Sequence, residues 1–343
     1  MSQVEKTAVV LVNLGTPEQA NEQSVRAFLG EFLADSRVIE GHGPRRWLWL
    51  AILNLIVLRT RPKKVAKLYQ DIWKEDSPMR IILHNQVDEL QKSLTKIYSN
   101  PPQVFAAMTY GASNLTSVLQ QLQQQKYSQV FVMPLFPQYS ATSTGPVYDK
   151  VAQFQKNARD VLDIRILKSY YNHHLYIQAL AQSIEKHWSK HQPAQKLMFS
   201  YHGIPQQYAD DGDPYPQQCF ETTRLVKEAL LTGPFAERAN QIISSFQSRF
   251  GVTKWVEPYT DVTLEELAKD GIESIDVICP AFSADCLETL EEIAQTNKQV
   301  FIENGGSEYR YIEALNAQPL FIETLFTILQ QQAADWLGEK IET

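Results

Sequence analysis

The stretch TAVVLVN, Thr7 to Asn13, has two opposed readings. It is either the apolar part of an export signal or a strand buried on both faces. The flanks decide between them. MSQVEK carries no basic start, the apolar run is short, and no small-residue cleavage site follows. The run therefore reads as a first strand. Similar β-branched runs recur along the chain at QVFAAMTY (103–110), QVFVMPL (129–135), VLDIRIL (161–167), KLMFSYH (196–202), VTKWVEP (252–258), SIDVICP (274–280) and QVFIEN (299–304). Helical periodicity fills the gaps, as in Ser113–Gln125, His173–His191, Gln217–Leu230 and Asp285–Thr296. Apolar strands alternating with helices indicate α/β architecture with parallel sheets. The runs fall into two sets of about four with a divide near residues 150–170, which predicts two Rossmann-like domains. The first spans 1–155 and the second 156–315, and a last helix over 316–336 returns to the first.

Composition narrows the function. The 343 residues carry a net charge of −7, so no general positive field would draw in nucleic acid. The 44% apolar share is ample for a core. Three cysteines, Cys219, Cys279 and Cys286, give no even disulfide framework and too few ligands for an ordinary iron–sulfur cluster. They suit a reducing, cytoplasmic compartment. With no histidine nearby in sequence, Cys279 and Cys286 read as buried packing residues.

In open parallel sheets, ligands sit beyond the carboxyl ends of the strands. Those ends read Asn13-Leu14-Gly15-Thr16-Pro17, Thr109-Tyr110-Gly111, Pro137-Gln138-Tyr139-Ser140, Tyr201-His202-Gly203, Pro280-Ala281-Phe282-Ser283 and Asn304-Gly305-Gly306. None is a dinucleotide or triphosphate fingerprint. Polar and aromatic groups among glycines suit a flat, partly apolar ligand.

Of seven histidines, those at 42, 173, 174, 187 and 191 sit in polar helical or loop contexts and read as surface residues, and His84 has no clear placement. His202 closes an apolar strand and precedes a glycine, which places it where a working residue belongs. In DCLETLEEIA (285–294), 100° per residue puts Leu287, Leu290, Ile293 and Ala294 on one stripe. Asp285, Glu288 and Glu292 fall opposite. That row is either a solvated helix face or a set of carboxylates opposite His202. An imidazole with carboxylates binds a borderline metal such as Fe2+ loosely and also accepts protons.

WLWLAILNLIVL, Trp47 to Leu58, is too short for a bilayer crossing, which needs roughly 20 apolar residues. Arg45 and Arg46 precede it, and Arg59, Arg61, Lys63 and Lys64 follow. It is either a core helix or an exposed apolar lip.

The motifs VVLVNLGTPE, AFLGEFLADSRVIE, RPKKVAKLYQDIW, PLFPQYSATSTG, SYHGIP, DPYPQQC, SFQSRFG, EPYTD, CPAFSADCLETLEEI and ENGGSEYRYIEALN run in order through residues 8 to about 322. Together they resemble ferrochelatase, and particularly the bacterial type without an iron–sulfur cluster. The resemblance implies two Rossmann-like domains with a porphyrin in the cleft between them. It implies insertion of ferrous iron, a substrate rather than a resident cofactor, into protoporphyrin IX to form haem. It maps the metal-binding and proton-handling pair onto His202 and Glu288, and porphyrin contacts onto Leu14, Tyr110, Gln138, Tyr139 and Ser140. Trp47–Leu58 becomes an apolar lip suited to peripheral membrane contact. A related chelatase for another metal or tetrapyrrole, and a non-catalytic porphyrin or haem carrier, are the alternatives. Retention of both His202 and Glu288 favours an enzyme. The chain departs from the common pattern at Asp76, Thr109, Ala281 and Glu313, where glycine, arginine, glycine and proline are usual.

Overall fold

The computed structural model describes residues 6–41, 43–251 and 253–341. His42, and Val252 at the head of the expected 252–258 strand, lie outside them. Among the described residues the strands form two parallel four-stranded sheets. In the first, β1 (Thr7–Thr16) lies between β2 (Gln103–Gly111) and β3 (Gln129–Pro134), and β4 (Asp163–Ile166) pairs with β3. In the second, β5 (Lys196–His202) lies between β6 (Ile242–Gln247) and β7 (Ser274–Ile278), and β8 (Glu308–Ile312) pairs with β7.

Each sheet belongs to its own compact unit. One holds the chain through Phe136, Ser140–Ser169 and the residues from Ile322 onward. The other holds Pro137–Tyr139 and Tyr170–Phe321. Residues 156–169, expected in the second domain, lie with the first because β4 completes its sheet. The final helix runs from Pro319 to Ala333.

The continuous apolar character of β1 follows from burial on both faces. Ala8 to Val12 are fully covered. Ala8, Val10 and Val12 pack with Leu115, Leu119 and Leu122 of the helix Leu115–Gln124 and with Val147 and Val151 of the helix Thr144–Asn157.

Two expected strands are corrected. QVFIEN is helical: Lys298–Glu303 continues a helix that starts at Leu287. Phe301 is its one fully buried apolar residue there, and Ile302 is exposed. Gly305, at φ +116, and Gly306 then end the helix, their N–H groups donating to the carbonyls of Ile302 and Phe301. Residues 253–258 form no strand, only single bridges such as Trp255 with Pro205. The strand beside β5 is instead IISSFQ, whose serines hide its apolar character. Ser245 Oγ and Ser200 Oγ both meet Thr260 Oγ1 at 2.8 Å, so buried hydroxyls satisfy one another.

At the opposite end of the second sheet, Asp276 is fully buried. It accepts hydrogen bonds from Arg310 Nε (2.7 Å), Trp188 Nε1 (2.8 Å), His187 Nε2 (3.2 Å) and Ala194 N (3.2 Å). His187, expected at the surface, is thus a partner of a buried acid. Burial alone would raise the Asp276 carboxyl, but these donors outweigh it and hold it below the ordinary value. Its stabilising contribution is therefore complete above the unfolded carboxyl value of about 3.9 and is lost as pH falls through the lower folded value. Asp276→Asn should lower stability by about 3–5 kcal/mol at pH 7, the usual effect of breaking a buried ion pair. In urea titrations the gap from wild type should close below about pH 4. A gap that does not vary with pH would rule this account out.

The stretch Trp47–Leu58 is helical, with a π-helical segment at Leu53–Val57 between the α-helices Pro44–Ile52 and Leu58–Ile72. Trp47 is 75% exposed, Leu48 63%, Leu55 59% and Ile56 57%, so the core-helix reading fails for this face. The other face anchors it. Leu53 is buried, Trp49 Nε1 donates to Leu33 O at 2.8 Å, and Arg46 donates to the carbonyls of Ala34 and Ile39. Arg46 thereby satisfies backbone at the end of the helix Glu22–Leu33. Arg45, Arg59, Arg61, Lys63 and Lys64 remain exposed. No helix among the described residues is long and apolar enough to cross a membrane.

Candidate functional site

β5 carries His202 to the carboxyl end of the second sheet. The ring Nδ1 lies 2.7 Å from the Gly203 carbonyl oxygen, an acceptor only, so Nδ1 bears the proton. That fixes the tautomer and leaves the Nε2 lone pair for a metal or a proton. Gly203 must be glycine because neighbours crowd it. A Cβ there would lie 2.9 Å from the Gln247 carbonyl oxygen and 3.1 Å from the Trp255 ring. Phe282 supplies an aromatic wall 6.4 Å from the imidazole, centre to centre.

The carboxylates come from the segment after β7. Glu288–Asn297 is π-helical, with more residues per turn than an α-helix. Burial therefore recurs every fourth residue, at Thr289, Ile293, Asn297 and Phe301. Leu287 and Leu290, expected in the core stripe, are only half-buried. Asp285 also leaves the expected acidic row. It is buried, accepting from Tyr311 Oη (2.7 Å), Asn316 Nδ2 (2.7 Å) and Thr289 Oγ1 (3.0 Å).

Glu288 and Glu292 are half-buried, and Glu292 lies within electrostatic reach of both His202 and Glu288. Gln247 Nε2 donates to the Glu288 backbone carbonyl at 2.9 Å. The Glu292 carboxylate accepts from Ser248 N at 2.8 Å and Ser248 Oγ at 2.5 Å. Burial is the main cause that lifts its pKa, and the negative Glu288 adds to it. The Ser248 donors and the charge of His202 pull the other way without cancelling the rise. One imidazole and two carboxylates therefore share an electrostatic environment. Among the described residues, no group of three or more His, Cys, Asp or Glu side chains is placed to hold a metal ion. The three thiols are buried, and burial pushes each above its usual value, so none is a ready nucleophile.

The five residues expected to touch porphyrin are placed unevenly. Leu14 and Tyr139 are half-buried and keep some accessible surface. Tyr110 is 1% exposed, and its hydroxyl donates to Asp35 at 2.8 Å. Lys150 Nζ lies 5.2 Å from the centre of the Tyr110 ring. Gln138 is buried and donates to Thr222 Oγ1 at 3.0 Å. Ser140 Oγ is buried and accepts from Thr142 N at 3.1 Å. Tyr110, Gln138 and Ser140 therefore hold their loops by buried side-chain contacts. Gln247 and Ser248, which sit against the acids, were visible in sequence only as part of SFQSRFG.

The departures are accommodated. Thr109 is fully buried, with Oγ1 3.3 Å from the Asn13 carbonyl oxygen, so this position faces the sheet interior. Neither Asp76 nor Ala281 has a positive φ, so the conformational freedom of glycine is not used at either position. Asp76 pairs with Arg80, which in turn donates to Pro17 O at 2.8 Å. Glu313 is exposed.

Each of the two units holds a parallel four-stranded sheet, and the second carries an imidazole at a strand end and carboxylates on the helix that follows β7. The fold is similar to that of SirB from Bacillus subtilis with Fe3+, at a TM-score of 0.55 and 11% identity over 96% of this chain and 97% of that one. It is also similar to the sirohydrochlorin chelatase SirB from Bacillus subtilis subspecies spizizenii in complex with cobalt, at 0.50 and 10% over 96% of each chain. At such identities the likeness is one of fold. The chain belongs to the ferrochelatase family, whose model matches residues 6–333. A ferrochelatase of Psychrobacter cryohalolentis is 47% identical over 334 residues, covering 97% of this chain and 96% of its own. The chain is thus a metal chelatase, an enzyme of the lyase class.

Proposed function

We propose that this chain inserts Fe2+ into protoporphyrin IX to form haem, with His202 and Glu288 as the working pair. The observation that carries the reading is the His202 tautomer. Its Nδ1 proton is committed to Gly203, and Nε2 is left open beside the acid-bearing π segment. Insertion replaces two pyrrole N–H protons with one Fe2+, so two protons must leave as the ion enters. The Nε2 lone pair is the base suited to the first transfer. The Glu288 carboxylate holds the arriving cation loosely, and the second proton leaves through it to solvent as the ion passes to the four ring nitrogens. Leu14 and Tyr139 offer surface to the ring. Anaerobic incubation with Fe2+ and protoporphyrin, followed by loss of free-base fluorescence, tests the reading. Turnover is the expected result. Saturable porphyrin quenching without turnover would mean a carrier, and turnover with Co2+ alone would mean a chelatase for another metal.

The lip serves delivery of a flat, poorly soluble ring. Trp47, Leu48, Leu55 and Ile56 present apolar surface, and the exposed Arg45, Arg59, Arg61, Lys63 and Lys64 suit anionic headgroups or the porphyrin propionates. Peripheral binding to a membrane follows. Replacing Trp47 and Leu55 with serine should weaken binding to anionic vesicles at least tenfold, since each buried large side chain contributes about 1.5–3 kcal/mol. The KM for porphyrin should rise and thermal stability should stay unchanged. Unaltered vesicle sedimentation would remove the membrane role.

A further inference from the structure

We propose that Ser248 is a positioning residue for metal insertion: its backbone N–H and hydroxyl together hold the Glu292 carboxylate on the face that meets His202. The backbone provides the first argument. Ser248 has φ +65, a region that costs a non-glycine residue about 1–2 kcal/mol. Glycine would adopt it freely. Serine at this position therefore needs its own explanation, and the hydroxyl supplies one. Left-handed geometry turns the N–H and Oγ of one residue toward the same acceptor, at 2.8 and 2.5 Å from the two oxygens of Glu292.

The same device occurs once more in this unit. Among the described residues, the other non-glycine position in the second unit with positive φ is Asn316, at +50. It also holds an acid, donating through Nδ2 to Asp285 at 2.7 Å. Asp285 lies two residues before the helix that starts at Leu287. The two strained residues thus fix two acids of one segment, one in the core and one beside His202. Gln247 completes the clamp, since its Nε2 reaches both the Glu288 carbonyl at 2.9 Å and Glu292 Oε2 at 3.4 Å. A glutamate has rotamer freedom that binding must otherwise freeze. Two charge-assisted donors from one rigid residue remove that freedom beforehand. A preset negative group opposite the imidazole strengthens capture of the incoming cation, whereas porphyrin, whose ring is apolar, gains nothing from it.

This inference rests on the metal-inserting reading of the site, so its test uses Fe2+ binding as well as turnover. Ser248→Gly is the informative variant, because it keeps the N–H and accepts the positive φ while removing the hydroxymethyl group. Anaerobic calorimetric titration of the full chain with Fe2+ should show about tenfold weaker binding for Ser248→Gly. Turnover should show a raised KM for Fe2+ with the KM for porphyrin within twofold. In a double-mutant cycle with Glu292→Ala, adding Ser248→Gly should change the Fe2+ Kd less than twofold, because the acceptor is already gone. Unchanged Fe2+ affinity in Ser248→Gly, or additive losses in the cycle, would overturn the role. A wild type that shows this coupling in Fe2+ binding but never turns over would retain the positioning role and remove the insertion reading instead.

Discussion

His202→Ala is expected to abolish metal insertion and to leave porphyrin binding within a few-fold of wild type. The two effects should separate if, as proposed, the imidazole supplies chemistry and the ring is held by other residues. A positioned general base contributes about 10²–10⁴-fold to rate. His202 has its proton fixed on Nδ1 by the Gly203 carbonyl, so alanine removes the open Nε2 lone pair without disturbing a buried contact in the sheet. Strand pairing of β5 uses the backbone, which the substitution keeps. Turnover should fall about a hundredfold or more, while quenching of porphyrin fluorescence on binding persists. Retention of more than a tenth of the wild-type kcat would end this role for His202.

Glu288→Gln should lower kcat almost as severely, and Glu292→Gln should have a smaller effect, about tenfold at most. Glutamine keeps the shape of Glu288, and the backbone carbonyl that accepts from Gln247 is unchanged, so the π segment stays folded. What disappears is the charge that balances an imidazolium and an arriving cation. Glu292 differs in its surroundings. Burial and the neighbouring Glu288 raise its pKa, and two Ser248 donors occupy its oxygens, which leaves it less available for direct chemistry. Steady-state kinetics of the two variants side by side separates the roles. Equal, mild losses would mean that both acids merely face solvent.

Much of the architecture was legible where burial is symmetric. β1, β2, β3, β5 and β7 are covered strands, so their apolar runs carry the signal by themselves. β6 was missed because its two central serines are satisfied by Thr260 and Thr223, partners far away in sequence. QVFIEN was misread because a π segment shifts the burial period, and the Asn304-Gly305-Gly306 ending is as natural after a helix as after a strand. The 100° rule failed for Asp285 because the residue precedes the helix and is held by Tyr311, Asn316 and Thr289.

The site was legible in outline. A strand-end histidine can be found from pattern, and the family resemblance pointed to Glu288. Side-chain burial cannot be read that way: Tyr110, Gln138 and Ser140 are buried. Ser248 left no signal at all. Its left-handed backbone goes with a tertiary contact to Glu292, and the position is not a glycine.

The most direct test of iron insertion by this chain is the proton yield. Wild-type protein, protoporphyrin and Fe2+ are mixed anaerobically in weak buffer with a pH indicator, and proton release is followed together with loss of free-base fluorescence. Insertion requires two protons released per ring quenched, on one time course. Quenching by Fe2+ with no proton release would show that the ring and the ion bind without exchange, and would contradict the account.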